Sequence, residues 1–165
     1  MKPRYRFDPQ LFAMLKKKSD ALKAEEKRRV LVIDEMQISK SVSFDSENLS
    51  VLGFIDLIEH TPENQKKEQA DHSLVFLFQP FRGKWIQNVA TFLSKGAANG
   101  QVLSRLVTEC IILLENHGFY VDVVTTDGAQ WNRGMWKHFG LKDLEASCRH
   151  VCTVDEIDKV DNCRL

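Results

Sequence analysis

The sequence predicts an α/β domain built on a mixed sheet, and three observations lead there. Two strongly apolar segments, Val30-Leu31-Val32-Ile33 and Phe119-Tyr120-Val121-Asp122-Val123-Val124, read as strands. A helical pattern runs directly into the second, so strand, helix and strand form a crossover that sets the last strand parallel to an earlier one. The apolar stretches between are joined by short links that suit antiparallel pairing.

Taken in order, Asp8 followed by Pro9 opens a helix with a capping carboxylate and a proline in its first turn, and Leu11, Leu15 and Leu22 mark one face over residues 9–26. Residues 30–33 are β-branched and apolar throughout, the mark of a strand buried on both faces, and Asp34 and Glu35 end the run. Phe44-Asp45-Ser46-Glu47-Asn48 reads as a turn leading to a strand over residues 51–57. Residues 61–71 are polar and contain Pro62, as a surface loop would. A strand over residues 74–78 is stopped by Pro80 and Gly83, and residues 85–93 alternate as a further strand. After the break at Gly96-Ala97-Ala98-Asn99-Gly100, the residues Val102, Leu103, Leu106, Val107, Cys110, Ile111 and Leu114 recur at helical spacing as far as Gly118. Residues 131–139 give a last helix, closed by Gly140.

With 165 residues, 43% hydrophobic and 28% charged, the chain is too apolar for disorder and of a length for one domain. Its longest apolar runs, residues 74–78 and 110–114, are too short to cross a bilayer, and no signal core follows the basic start. The four cysteines, Cys110, Cys148, Cys152 and Cys163, form no C-x-x-C pair and read as reduced thiols in an intracellular protein. Cys148, His150 and Cys152 fall short of a four-ligand zinc set.

Net charge is zero but unevenly placed. Residues 1–30 hold ten Lys or Arg against four acids, whereas residues from 143 onward hold six acids against three basic residues. The basic segment, with Lys16, Lys17, Lys18, Arg28 and Arg29, is a candidate face for nucleic acid or an ordinary solvated helix face.

Asp34 and Asp127 stand at the carboxyl ends of the two most apolar strands. If those strands are parallel neighbours, both carboxylates meet at one sheet edge, where active sites of open α/β sheets form. Such a pair suits Mg2+ or Mn2+, hard ions that keep waters and serve phosphate chemistry, although an Asp after a strand is also a common turn former. Val30 through Glu35 also looks like the magnesium-binding strand of an ATPase, but no phosphate loop accompanies it: the one Gly-Lys pair, Gly83-Lys84, runs into Trp85.

Asp34-Glu35-Met36-Gln37-Ile38, Gly53-Phe54-Ile55-Asp56, Leu74-Val75-Phe76, Leu114-Glu115-Asn116-His117-Gly118-Phe119 and Thr126-Asp127-Gly128-Ala129-Gln130-Trp131-Asn132 resemble, in this order, the blocks of P-element and THAP-type DNA transposases. The resemblance spans residues 7–141 and implies an RNase H-like fold. It makes Asp34 and Asp127 the first two acids of an Asp-Asp-Glu triad, both catalytic and metal-binding, with Asn132 bracing Asp127 or a metal-bound water. Trp85 and Gln87 match a family Trp-Lys-Gln-Pro segment in which Ile86 and Asn88 replace the Lys and Pro.

The family's third acid, a Glu beyond an inserted GTP-binding domain, has no counterpart here. Glu109 and Glu115 lie on the crossover helix, and Glu145 and Glu156 in the acidic tail. The family's zinc finger and GTP site are absent too. The expectation is therefore a basic helical lead-in (1–29), the first part of an RNase H-like core (30–142) with an incomplete sheet, and an acidic tail (143–165). Together they make a transposase fragment, inactive alone, whose parent cleaves and joins DNA with Mg2+ or Mn2+ in the nucleus. The competing expectations are a domesticated, non-catalytic DNA- or protein-binding module and an unrelated α/β nucleotide-binding enzyme.

Overall fold

The computed structural model describes residues 6–46, 49–81, 84–96 and 98–141. The acidic tail, with Cys148, Cys152 and Cys163, and Gly83 lie outside them.

Helix α1 (Pro9–Asp20) starts as its sequence requires, with the Asp8 side chain accepting the Gln10 N–H at 2.9 Å and Pro9 in the first turn. It stops six residues short of the expected end. The N–H groups of Ala21 and Leu22 turn back to Lys18 O and Ser19 O, and the buried Ser19 hydroxyl donates to Gly118 O at 2.9 Å, fastening the last turn to a residue 99 positions later. A separate 3₁₀ turn, Ala24–Lys27, follows, with Lys23 N–H donating to the Glu26 side chain.

Strand β1 (Arg28–Gln37) is longer than its apolar run and carries Asp34 and Glu35 inside it. It is buried on one face, not two. Leu31 and Ile33 are fully buried, whereas Val30 and Val32 are half-buried. The helices' buried side chains gather with Leu31, Ile33, Phe76, Phe78 and Phe92 into one core. An apolar run cannot tell one covered face from two.

A short hairpin of β2 (Ser43–Asp45) and β3 (Ser50–Leu52) forms its own two-stranded sheet. The strand expected to reach residue 57 breaks at Gly53. This residue has φ +106°, and a Cβ there would meet Ser41 O at 1.9 Å, so the chain turns away. Asp56 then bridges to Leu93.

Strands β4 (His72–Pro80) and β5 (Gln87–Ser94) complete an antiparallel run with β1, in register Ile33↔Phe76 and Phe76↔Ala90. Helix α2 (Gly100–Asn116) carries the chain from the end of β5 back along the sheet; its 17 residues span about 26 Å. Strand β6 (Tyr120–Thr126) then runs parallel to β1, giving the sheet order β5-β4-β1-β6. Helix α3 (Gln130–His138) packs on α2 where Gly100 meets Gly134; a Cβ on Gly100 would lie 2.7 Å from the Gly134 carbonyl carbon. The result is a mixed α/β fold. Among the described residues no helix is long and apolar enough to cross a membrane.

Candidate active site

Because β5 is parallel to β1 and α2 returns the chain to the opposite end, β6 must run toward the same edge as β1. The parallel register ends at Val32↔Thr125 and Ile33↔Thr126. The next residue of β1 is Asp34, and the residue that follows the end of β6 is Asp127. Neighbouring strands lie about 4.8 Å apart, so the two acids stand side by side at one edge.

Both acids are exposed, and each has one oxygen engaged. Asp34 Oδ1 accepts the N–H of Glu35 at 2.8 Å. Asp127 Oδ1 accepts the N–H of Ala129 at 3.0 Å and the Nδ2 of Asn132 at 2.6 Å. Asn132 is buried on the first turn of α3, so the clamp on Asp127 comes from a fixed side chain. Among the described residues no hydrogen bond reaches either Oδ2. Hard carboxylate oxygens of this kind are the donors that a divalent ion retaining waters takes. They do not fit a closed structural site: no group of three or more His, Cys, Asp or Glu among the described residues is arranged to hold a metal.

Glu35 adds a third carboxyl to this edge. Alternation along β1 turns it to the core side, where its Oε1 lies 3.2 Å from Ala98 N and 3.4 Å from Ser94 Oγ, while its buried Oε2 has no partner. Burial pushes this carboxyl above the usual glutamate range, and the neighbouring Asp127 adds to the rise, against the opposing pull of the Ala98 N–H, His72 and Ser94. The signal was in the sequence: a strand that buries Leu31 and Ile33 must aim residue 35 the same way. Asp71, just before β4, is held to the opposite effect. The His72 ring nitrogen at 2.7 Å and the Gly96 N–H at 2.7 Å draw its carboxyl down to about 2.

The basic residues are elsewhere. Lys16 pairs with Asp20 along α1, and Arg28 with Asp122 at the start of the sheet. Arg29 is only 2% exposed, its guanidinium 5.1 Å from the Trp85 ring centroid and 5.3 Å from that of Phe119. Burial lowers its pKa, with Glu26 opposing. It therefore closes this end of the core and presents no charge to a ligand. Lys18 lies 3.5 Å over the outer part of the same stack, its pKa lowered by burial and then by Arg29, and Lys17 is exposed. Trp85 is thus a packing platform, while Ile86 and Asn88 beside it are exposed.

Neither helical glutamate joins the acid pair. Glu109 faces His60 at 3.8 Å in an open groove of about 490 Å³ along α2 and α3, and Glu115 sits at the end of α2 near Asp122, its carboxyl raised by burial. Cys110 is a free, buried thiol whose pKa burial raises.

Antiparallel strands, a helical crossover, and a parallel strand that returns beside the first strand are the topology of an RNase H-like domain. The chain belongs to the TNP-like RNase H N-terminal domain family, whose model matches residues 4–140. Among solved structures it is similar to the Drosophila P element transposase strand transfer complex, with a TM-score of 0.60 and 18% identity over 86% of this chain. That likeness is one of fold, and this chain covers 27% of the transposase chain. No curated protein matches the sequence.

Proposed function

We propose that this domain supplies two of the three metal-binding carboxylates, Asp34 and Asp127, of a DNA strand cleavage and transfer site of the Asp-Asp-Glu kind. The observation that carries the reading is the register Ile33↔Thr126, which brings the two acids together at the carboxyl edge of parallel neighbours. A Mg2+ or Mn2+ ion there would polarise a phosphodiester oxygen and favour attack on phosphorus. The chain's own part is to hold two oxygens toward the ion, Asp34 through the Glu35 N–H and Asp127 through Asn132. DNA is the expected substrate of the parent protein, the nucleus its expected place, and a glutamate from another part of the parent its third acid.

Strand transfer by a full-length parent carrying this domain, measured with labelled oligonucleotides and Mg2+, tests it. Asp34→Asn or Asp127→Asn should each lower the rate at least about 100-fold, since several kcal/mol of charge stabilisation are lost. Undiminished transfer in both would sink the reading. Salt-sensitive DNA binding by the chain that survives both substitutions and ignores Mg2+ would favour the non-catalytic module instead.

A further inference from the structure

We infer that Glu35 is the positioning residue that ties the anchors of the two edge carboxylates together, an inference that rests on the function proposed above. Glu35 sits across β1 from its neighbour Asp34. Its backbone N–H holds Asp34 Oδ1 on one side, at 2.8 Å, while its side chain reaches the turn before α2 on the other. There Oε1 accepts from Ala98 N at 3.2 Å, and Ser94 Oγ lies 3.4 Å away, sharing its single proton with Gly96 O at 3.2 Å.

That turn leads directly to Gly100, the residue at which α2 touches Gly134 of α3 backbone to backbone. Two residues before Gly134 on α3 is Asn132, whose Nδ2 holds Asp127. One continuous set of contacts therefore runs from Asp34 through Glu35, the turn at Ser94 and Ala98, and the Gly100–Gly134 crossing to Asn132 and Asp127. No other side chain spans from β1 to the turn among the hydrogen bonds of the described residues at this edge. The buried Oε2 without a partner means that a carboxyl is not the most stable filling for this place. Its other oxygen holds the turn through the Ala98 N–H, beside two exposed acids. Outer contacts of this sort typically change metal affinity or activity 10–100-fold when removed.

The test compares side-chain length with charge. Glu35→Gln keeps the reach and an acceptor oxygen for the Ala98 N–H but loses the charge; Glu35→Asp keeps the charge and withdraws it by one methylene. Mn2+ binding to the purified chain is followed by electron paramagnetic resonance, with amide hydrogen exchange at Glu35 and Ala98 measured on the same samples. Positioning predicts that Glu35→Gln binds Mn2+ as the wild type does, whereas Glu35→Asp binds about 10-fold more weakly and exchanges both amides faster. The reverse order, Asp retaining affinity and Gln losing it, would make Glu35 a direct ligand and overturn the inference, as would equal behaviour of both variants and the wild type. Mn2+ binding that persists in Asp34→Asn with Asp127→Asn, or is absent from the wild type, counts against the metal reading alone. Exchange at Glu35 and Ala98 still decides the positioning role, because it needs no cation: unchanged rates in Glu35→Asp overturn it.

Discussion

Strand β1 begins with Arg28 and Arg29 and carries Asp34 and Glu35 near its other end, about 20 Å away. At the cationic end three charges have a neighbour that pairs with or covers them: Asp122 for Arg28, the Trp85 and Phe119 rings for Arg29, and the outer Trp85 face for Lys18. At the anionic end Asp34 and Asp127 are exposed, and each keeps an oxygen free of hydrogen bonds among the described residues. A satisfied charge cluster holds a fold together, while an unsatisfied one waits for a ligand of the opposite sign. The contrast supports the proposal that the second end carries the chemistry while the first holds the fold together.

Cutting into the cationic end should show the largest effect on stability. Arg29→Ala removes a buried stack between two aromatic rings and is expected to cost about 2–4 kcal/mol, read as a lower urea midpoint. Arg29→Met keeps the length and removes the unpartnered Nε, so it should recover most of that loss. Asp34→Asn at the other end should stay within about 0.5 kcal/mol of the wild type. If Asp34→Asn costs as much as Arg29→Ala, the division between the two ends is wrong.

A middle-sized effect is expected where the acid end does have a structural hold. Asn132 is buried and its amide is 2.6 Å from Asp127 Oδ1. Asn132→Ala should cost about 1–2 kcal/mol through the lost charge-assisted hydrogen bond. It should also free Asp127, which a change in the carboxyl carbon chemical shift of that residue would report. An unaltered shift would mean that the Ala129 N–H alone fixes Asp127.

The same contrast explains what could be read before any coordinates. Asp34 and Asp127 stood out because each follows an apolar strand, and the crossover helix, with seven apolar residues at helical spacing, implied that their strands run parallel. The mixed sheet and the strands around residues 74–78 and 119–124 were legible for the same reason: apolar periodicity records burial. Limits set by tertiary contacts were not. The end of α1 depends on Ser19 reaching Gly118, 99 residues away, and the break at Gly53 on a close approach to Ser41 O. Arg29 looked like a free basic residue because sequence charge says nothing of a Trp and a Phe brought over it by folding. Glu35 was hidden by a brighter neighbour, although alternation alone puts it on the core side.

The smallest expected effect lies within the acid end itself, where two carboxyls respond to pH in opposite directions. Asp71 has its folded pKa drawn to about 2, below the value near 3.9 of an unfolded aspartate, so its contribution is complete above about pH 4 and is lost as pH falls toward 2. Glu35 has its folded pKa raised, so the folded protein pays for its ionisation once pH climbs above about 4.3 and is relieved on acidification. Urea midpoints between pH 2.5 and pH 7 should therefore lose their acid-side fall in Asp71→Asn, while Glu35→Gln should gain stability at pH 7 relative to pH 4. A Glu35→Gln profile parallel to that of the wild type would show that the buried Oε2 finds a partner in solution. The carboxyl would then be a stabilising element like those around Arg29, and the edge would lose the strain that sets it apart from the other end of the sheet.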